Sequence, residues 1–291
     1  MTIEAFLSRT IDAAIQAGKA VLDVYATDFA VDHKADDSPL TLADRKSHRI
    51  LVEALAPTQL PVLSEEGRHL TYAERRDWQR FWLLDPLDGT KEFVKRNGEF
   101  TINIALIDQQ APVLGVIYVP VHDVLYFGTI TGGAFKLASA DKAWAQITAK
   151  ETDSDTIRQT LIRVSDPLPS PSSIPEVFTI VGSRSHSTPE VDQIKQEMAQ
   201  IHGDVALISA GSSLKLCMVA EGRAHLYPRT GPTMEWDTAA GQAIAEAAGA
   251  RVLEFESGRP LLYNKENLLN PWFVVKRKQP FKAESGCLRQ S

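Results

Sequence analysis

Cysteine is nearly absent from this sequence: 291 residues hold two, Cys217 inside an apolar run and Cys287 near the end of the sequence. Neither stands at a metal-like or redox-like spacing, which excludes a disulfide framework and a structural zinc site and leads us to expect a reducing, cytoplasmic setting. Long apolar runs are missing as well; none approaches the roughly 20 residues that a membrane span needs. There is no excess of base, since 31 Lys and Arg face 37 Asp and Glu for a net charge of −6. A nucleic-acid binder normally shows a basic excess or stripe, because neutralising phosphates supplies much of its affinity. Glu4 and Asp12 stand where a leader would carry positive charge, so a core helix is expected there instead. No internal repeat or low-complexity tract occurs. What is present is 44% apolar residues, in a chain long enough for one large or two modest domains. The excess of acid remains to be explained, and its placement is the informative part.

From Phe6, the residues Leu7, Ile11, Ala14, Ile15, Leu22 and Tyr25 recur at helical spacing, and a second helix is expected between Ser38-Pro39 and Pro57. Between them His33 to Asp37 reads as a polar loop. PVLSEEG is a short strand ending in two acids, and Phe81 to Leu84 is a buried strand that Asp85-Pro86 and Asp88-Gly89 should break. Phe100 to Leu137 alternates β-rich runs with turn residues, an antiparallel meander. The polar stretches 148–155 and 167–175 read as linkers. After them strands and helices alternate: FTIVG, a helix over Val191–Ile201, VALIS, a helix over Leu214–Glu221, AHLYP, a helix over Thr238–Ala248, and WFVV. The pattern predicts an α/β (α+β) fold, with the meander as one sheet and a second mixed sheet. It divides into an N-terminal α+β domain over 1–160, a C-terminal α/β domain over 161–275, and a frayed tail over 276–291.

Three groups of acids sit just past strand ends or at a helix start. In Asp85-Pro86-Leu87-Asp88-Gly89-Thr90, proline stiffens the backbone and Gly89 permits a tight turn, so two carboxylates and the Leu87 carbonyl can aim at one point. Two carboxylates about 4 Å apart repel by roughly 4 kcal/mol at an effective dielectric near 20, so a cation is expected between them. Oxygen-only donors select magnesium before calcium or manganese. An Asx turn is the structural alternative for this loop, a solvated strand end for Glu65-Glu66, and an N-cap for Asp237. A helix N-terminus is also a favourable place for phosphate.

SPLTLAD (Ser38 to Asp44), PVLSEE (Pro61 to Glu66), WLLDPLDGTKEF (Trp82 to Phe93) and EWDTAAGQAIAEAAGA (Glu235 to Ala250) together resemble the inositol monophosphatase-like superfamily, over about residues 5 to 275. KEF after DPLDGT, with KRNGEFTINIALI, GSRSH, GSSLK and AEGRAHLYPR, is similar to its bacterial 3′(2′),5′-bisphosphate nucleotidases. The resemblance implies a layered αβαβα sandwich and lithium-sensitive, Mg2+-dependent hydrolysis of 3′-phosphoadenosine 5′-phosphate to AMP, with the phosphosulfate analogue left open. It implies two magnesium ions per chain, or three. Glu65, Asp85 and the Leu87 carbonyl would hold one, and Asp85, Asp88 and Asp237 another. Asp44 and Thr90 would activate the water, with Glu65 beside them as a catalytic group. Leu87, Asp88, Gly89, Thr90 and Asp237 would meet the scissile phosphate, and Ser183, Arg184, His186, Ser212, Lys215 and Arg229 the nucleotide.

Three other readings stand beside this one. An inositol or sugar monophosphatase would share the metal chemistry. A haloacid dehalogenase-like phosphatase would need a D-x-D spacing, whereas Pro86 and Leu87 separate the acids here. A cation-binding regulatory module would use the acids without hydrolysis. The oligomeric state is open, no transmembrane segment is expected, and peripheral membrane association, which the resemblance allows, finds no basic amphipathic segment to support it.

Overall fold

The apolar stripe near the start of the chain folds as helix α1 (Leu7–Tyr25) and the segment after Ser38 as α2 (Pro39–Leu55). The structure is a computed structural model that describes residues 3–27, 39–183 and 189–277; the loop 33–37 and the tail beyond 277 lie outside them. Strand β1 (Val62–Ser64), short helix α3 (Tyr72–Arg75), β2 (Arg80–Asp88) and short helix α4 (Thr90–Val94) follow. The meander is β3 (Thr101–Asp108), β4 (Ala111–Val119), β5 (Val124–Thr129) and β6 (Gly133–Ala138). Helices α5 (Ala140–Thr148) and α6 (Ser154–Val164) lead to β7 (Asp166–Leu168). Strands β1 to β7 form one seven-stranded sheet in sequence order, with β1 parallel to β2 and every other pair antiparallel.

The rest of the described chain is β8 (Phe178–Ser183), α7 (Pro189–His202), β9 (Val205–Ala210), α8 (Leu214–Glu221), β10 (Leu226–Arg229), α9 (Glu235–Ala247), β11 (Ala250–Glu254) and β12 (Phe273–Arg277). Its strands form a mixed five-stranded sheet ordered β11-β12-β10-β8-β9. Helices α1 and α2 pack on one face of the first sheet, α8 and α9 lie between the two sheets, and α7 packs on β8 and β9. This is the expected layered sandwich. Among the described residues no helix is long and apolar enough to cross a membrane.

Some local expectations need correcting. The stretch 148–155 is linker only over 149–153, since it begins in the last residue of α5 and ends in the first turn of α6, and Trp144, Ile147, Ile157 and Leu161 of these two helices are buried. The apolar stripes of these two helices are short, and the loop-forming residues between them dominated the sequence reading. Strand β2 does not break at Asp85 but runs on to Asp88. Residue 160 falls inside α6, and β7 joins the first sheet at 166–168.

Helix α9 holds the layers together. It packs on β2 to β6 on one side and on β11 on the other, and Ala239, Ala240, Ile244 and Ala245 lie in a core shared with both sheets. The close approach depends on Gly115 of β4, where an added Cβ would stand 2.2 Å from the Ala240 carbonyl oxygen and 2.9 Å from the Ala243 Cβ. Backbone cannot rotate away as a side-chain tip can. Gly115→Ala is therefore expected to destabilise the protein by about 3 kcal/mol, the upper range for overpacking, read as a lower denaturant midpoint. A midpoint unchanged from wild type would show that α9 is not seated this tightly.

Candidate active site

Strand parity determines where the acids of β2 face. Trp82 and Leu84 belong to the core under α1 and α2, whereas Phe81 and Leu83 belong to the core under α8 and α9. Asp85 continues the second set, since alternate residues share a face. In β3, Ala105 and Ile107 face the same way, and Asn103 and Thr101 extend that row. Asp85 pairs with Asn103, but the next registered pair is Asp88 with Thr101, three steps against two. The extra residue is a β-bulge, placed where Pro86 has no N–H for the ladder. An unbroken strand would turn Asp88 to the face opposite Asp85. The bulge returns it to the same face, and Leu87 packs into the core on the other side.

Other elements bring further acids to this point. Ser64 of β1 lies beside Leu84 of β2, and the Glu65 N–H donates to the Leu84 carbonyl at 3.3 Å, so Glu65 follows its strand to the level of Asp85. On α2, the Ser47 hydroxyl donates to the Pro86 carbonyl at 2.7 Å, and His48 Nδ1 bonds the Ser64 hydroxyl at 2.9 Å. Asp44, three and four residues earlier, shares that helix face. Asp237 is the third residue of α9 and not its N-cap, because the helix starts at Glu235; its Oδ2 accepts from the Met234 N–H at 2.9 Å. Thr90 opens α4 after Gly89, whose φ of 95° is left-handed and suits glycine. Thr90 is exposed and makes no hydrogen bond to Asp44.

Asp85 is 1% exposed, and burial pushes its carboxyl well above the usual range, helped by the charges of Asp88, Glu65, Asp237 and Asp44. Burial and then Glu66 and Glu65 push Asp44 up to about 8. Glu65 rises to about 7 through desolvation, Asp88 and Glu66, although a hydrogen bond with Asp85 pulls the other way. Asp237 rises to about 7 through burial and Asp88, against the Met234 N–H. Each of these four carboxyls thus resists ionising chiefly because it is buried, and the neighbouring acids add to the effect. The donors are all oxygens, the set that suits a hard divalent cation. Among the described residues no three acids, histidines or cysteines stand close enough together to hold a metal ion as they are. The all-oxygen donor set and the crowding of carboxyls fit magnesium.

Asp88 and Asp237 also line a cavity of about 130 Å³, with Ser183, Ser212, Lys215 and Arg229 on its other walls. Four of the residues expected to meet the nucleotide therefore converge on the acids. His186 and Arg184 lie outside the described residues. Lys215 is buried; its ammonium donates to the carbonyls of Ser212 and Ala210 and lies 5.7 Å from the Tyr227 ring centroid. Burial lowers it to about 8 despite the field of Asp88. Arg229 donates Nη2 to the Pro232 carbonyl at 2.9 Å, while its buried Nε has no partner among the described residues.

Sequence reasoning missed Glu99, which fixes the GSSLK turn by accepting the Gly211 N–H at 2.7 Å and, through its carbonyl, the Ser212 hydroxyl at 2.6 Å. That strap holds Ser212 at a left-handed φ of 37°, a conformation that costs a non-glycine residue about 1 kcal/mol or more. Also missed were Asn103 and Ser213. For Asn103 the available signal was a polar residue in a strand otherwise apolar on both faces.

The chain matches the inositol monophosphatase family model over residues 3–280. It is 45% identical over 275 residues to the 3′(2′),5′-bisphosphate nucleotidase CysQ of Shigella flexneri, covering 92% of this chain and 98% of that one. The crystal structure of CysQ from Bacteroides thetaiotaomicron superposes with a TM-score of 0.86 at 49% identity, over 95% of this chain and 98% of that one. An inositol monophosphatase from Anabaena shares the fold, with a TM-score of 0.66 at 22% identity over 95% and 92% of the two chains. The chain belongs to the inositol monophosphatase family.

The raised carboxyls have a consequence for stability. A carboxyl whose folded pKa lies above its unfolded value near 4 binds more protons when folded, so its effect on stability worsens as pH rises from the unfolded value through the folded one. For Asp44, Glu65 and Asp237 that window runs from about 4 to about 8. A divalent cation relieves the repulsion only when the acids are charged. The rise in Tm on replacing EDTA with excess Mg2+ is expected to be small at pH 5 and several degrees at pH 8. A rise of equal size at both values would mean that these acids do not hold the ion.

Proposed function

We propose that this member of the inositol monophosphatase family is a magnesium-dependent phosphatase that hydrolyses 3′-phosphoadenosine 5′-phosphate to AMP and phosphate. The observation that carries the reading is the junction at Asp88 and Asp237, which belong both to the acid cluster and to the wall of a cavity bearing Lys215 and Arg229. A ligand with two phosphates suits both halves. One phosphate would lie at the acids, and the other would meet the Lys215 ammonium and the Arg229 guanidinium, both on the cavity wall. The relatives named 3′(2′),5′-bisphosphate nucleotidases support the same substrate class.

Glu65, Asp85 and the Leu87 carbonyl would hold one magnesium ion, and Asp85, Asp88 and Asp237 a second. Bound there, magnesium supplies the positive charge that the phosphoryl oxygens and an attacking water require. Asp44 takes the proton of that water; burial and the acids around it place its carboxyl near 8, within the range a base needs near neutral pH. The Thr90 hydroxyl orients the water toward Asp44, and the Gly89 and Thr90 N–H groups face the phosphate. As the new P–O bond forms, the bond to the ribose oxygen breaks, that oxygen takes up a proton from solvent water to become the hydroxyl of AMP, and Asp44 returns its own proton to solvent. No side chain forms a bond to phosphorus.

Phosphate release should be measured from 3′-phosphoadenosine 5′-phosphate, inositol 1-phosphate and fructose 1,6-bisphosphate, each with Mg2+ and with lithium added. The nucleotide is expected to be preferred strongly in kcat/KM, with lithium inhibiting. Equal or better turnover of inositol 1-phosphate would overturn the nucleotide reading. Asp85→Asn is expected to abolish nearly all turnover, and Asp44→Asn to lower kcat by about 10²–10⁴, the usual contribution of a general base. An aspartyl-phosphate trapped on Asp85 would instead establish a covalent route.

A further inference from the structure

Ser213 stands at the N-cap of α8, where a serine hydroxyl normally accepts a helix N–H and stabilises by about 1 kcal/mol. Here the side chain makes no such bond. It is 2% exposed, and its hydroxyl lies 2.7 Å from Asp88 Oδ2 and 2.8 Å from the Asp237 carbonyl oxygen. Two buried residues of β3 stand behind it. Thr101 Oγ1 donates to Asn103 Oδ1 at 2.9 Å, and the Asp88 carboxylate, which can only accept, keeps the amide nitrogen on its own side. The Asn103 amide nitrogen then donates to Ser213 Oγ at 2.9 Å and reaches Asp88 Oδ2 at 3.4 Å. The Asn103 atom that faces Ser213 is its amide nitrogen, which donates and cannot accept, so Ser213 cannot donate back to Asn103. Its single proton is left for Asp88 or for the Asp237 carbonyl, and an ionised carboxylate is the stronger acceptor.

The chain Thr101, Asn103, Ser213, Asp88 therefore runs in one direction and ends on a proposed metal ligand, while the same hydroxyl lies against the backbone of another. We propose that Ser213 is a positioning residue, which fixes the Asp88 carboxylate through Oδ2 and sets its distance from α9, so that Asp88 and Asp237 meet one magnesium ion. The inference rests on the magnesium reading given above. Ser213 does not touch substrate in this reading, and it acts through Asp88. Partners of this kind, one bond removed from the metal, typically change affinity by about 10- to 100-fold when they are removed.

The test is Mg2+ binding to the substrate-free protein, by calorimetric titration well below the melting temperature, for wild type, Ser213→Ala and Ser165→Ala. Ser165 is a buried serine whose hydroxyl donates within the chain to the Leu161 carbonyl at 2.8 Å, so it controls for the loss of a buried hydroxyl as such. Ser213→Ala is expected to weaken Mg2+ binding by at least about 10-fold, with Ser165→Ala at the wild-type value. The metal-free Tm is expected to fall in both variants, since each loses buried hydrogen bonds, so the Mg2+ affinity and not the Tm tells the two roles apart. Wild-type affinity in Ser213→Ala, or an equal loss in both variants, would overturn the role of Ser213 and leave the magnesium reading standing. Wild-type protein that binds no Mg2+ would overturn both.

Discussion

The site depends on one irregularity in a buried strand. Carboxylates at positions 85 and 88 of an extended chain project to opposite faces, and in this sandwich those faces lie in different cores. The bulge at Pro86-Leu87 removes that conflict, since the pairs Asp85 with Asn103 and Asp88 with Thr101 lie on one face of the sheet. Everything else is arranged around that face. Helix α9 brings Asp237 to it, β1 brings Glu65 alongside, and α2 is tied to the bulge by the Ser47 hydroxyl on the Pro86 carbonyl.

The same arrangement works against the fold. Four carboxyls raised by burial and by each other form a cluster that the protein tolerates but does not neutralise. No basic side chain forms an ion pair with any of them among the described residues. The nearby cation Lys215 is directed instead to the carbonyls of its own turn and to the cavity. Such a cluster is expected of a site whose missing charge arrives with an ion, and the second phosphate of the proposed substrate would find the cations that the acids do not use.

Much of this was legible in the residues. DPLDGT displayed its two acids, its stiff proline and its permissive glycine, and the helical stripes of α1, α2 and α8 were read close to their bounds. Asp237 was recognised, but its place in the helix was shifted by three residues, because an aspartate before Thr-Ala-Ala looks like a cap when the helix in fact opens on Glu235-Trp236. The run-on of β2 through Asp88 was not foreseen, since a proline and two aspartates are ordinary strand breakers and only pairing with β3 overrides them. Asn103 and Ser213 could not be ranked above other buried polar residues from spacing alone. Their partners lie 110 residues apart in the sequence, and only the folded chain brings them together.

The seating of α9 between the sheets bears on the order in which the chain can acquire its structure. The first sheet is complete in its strands by Leu168, yet the face that carries Phe81, Leu83, Ala105 and Ile107 gains its cover from residues 235–247. During synthesis, that apolar face must wait for some seventy further residues to emerge. Domains over which contacts close late expose sticky surface while they wait. The segment that delivers Asp237 to the acids is thus also one that covers this apolar face.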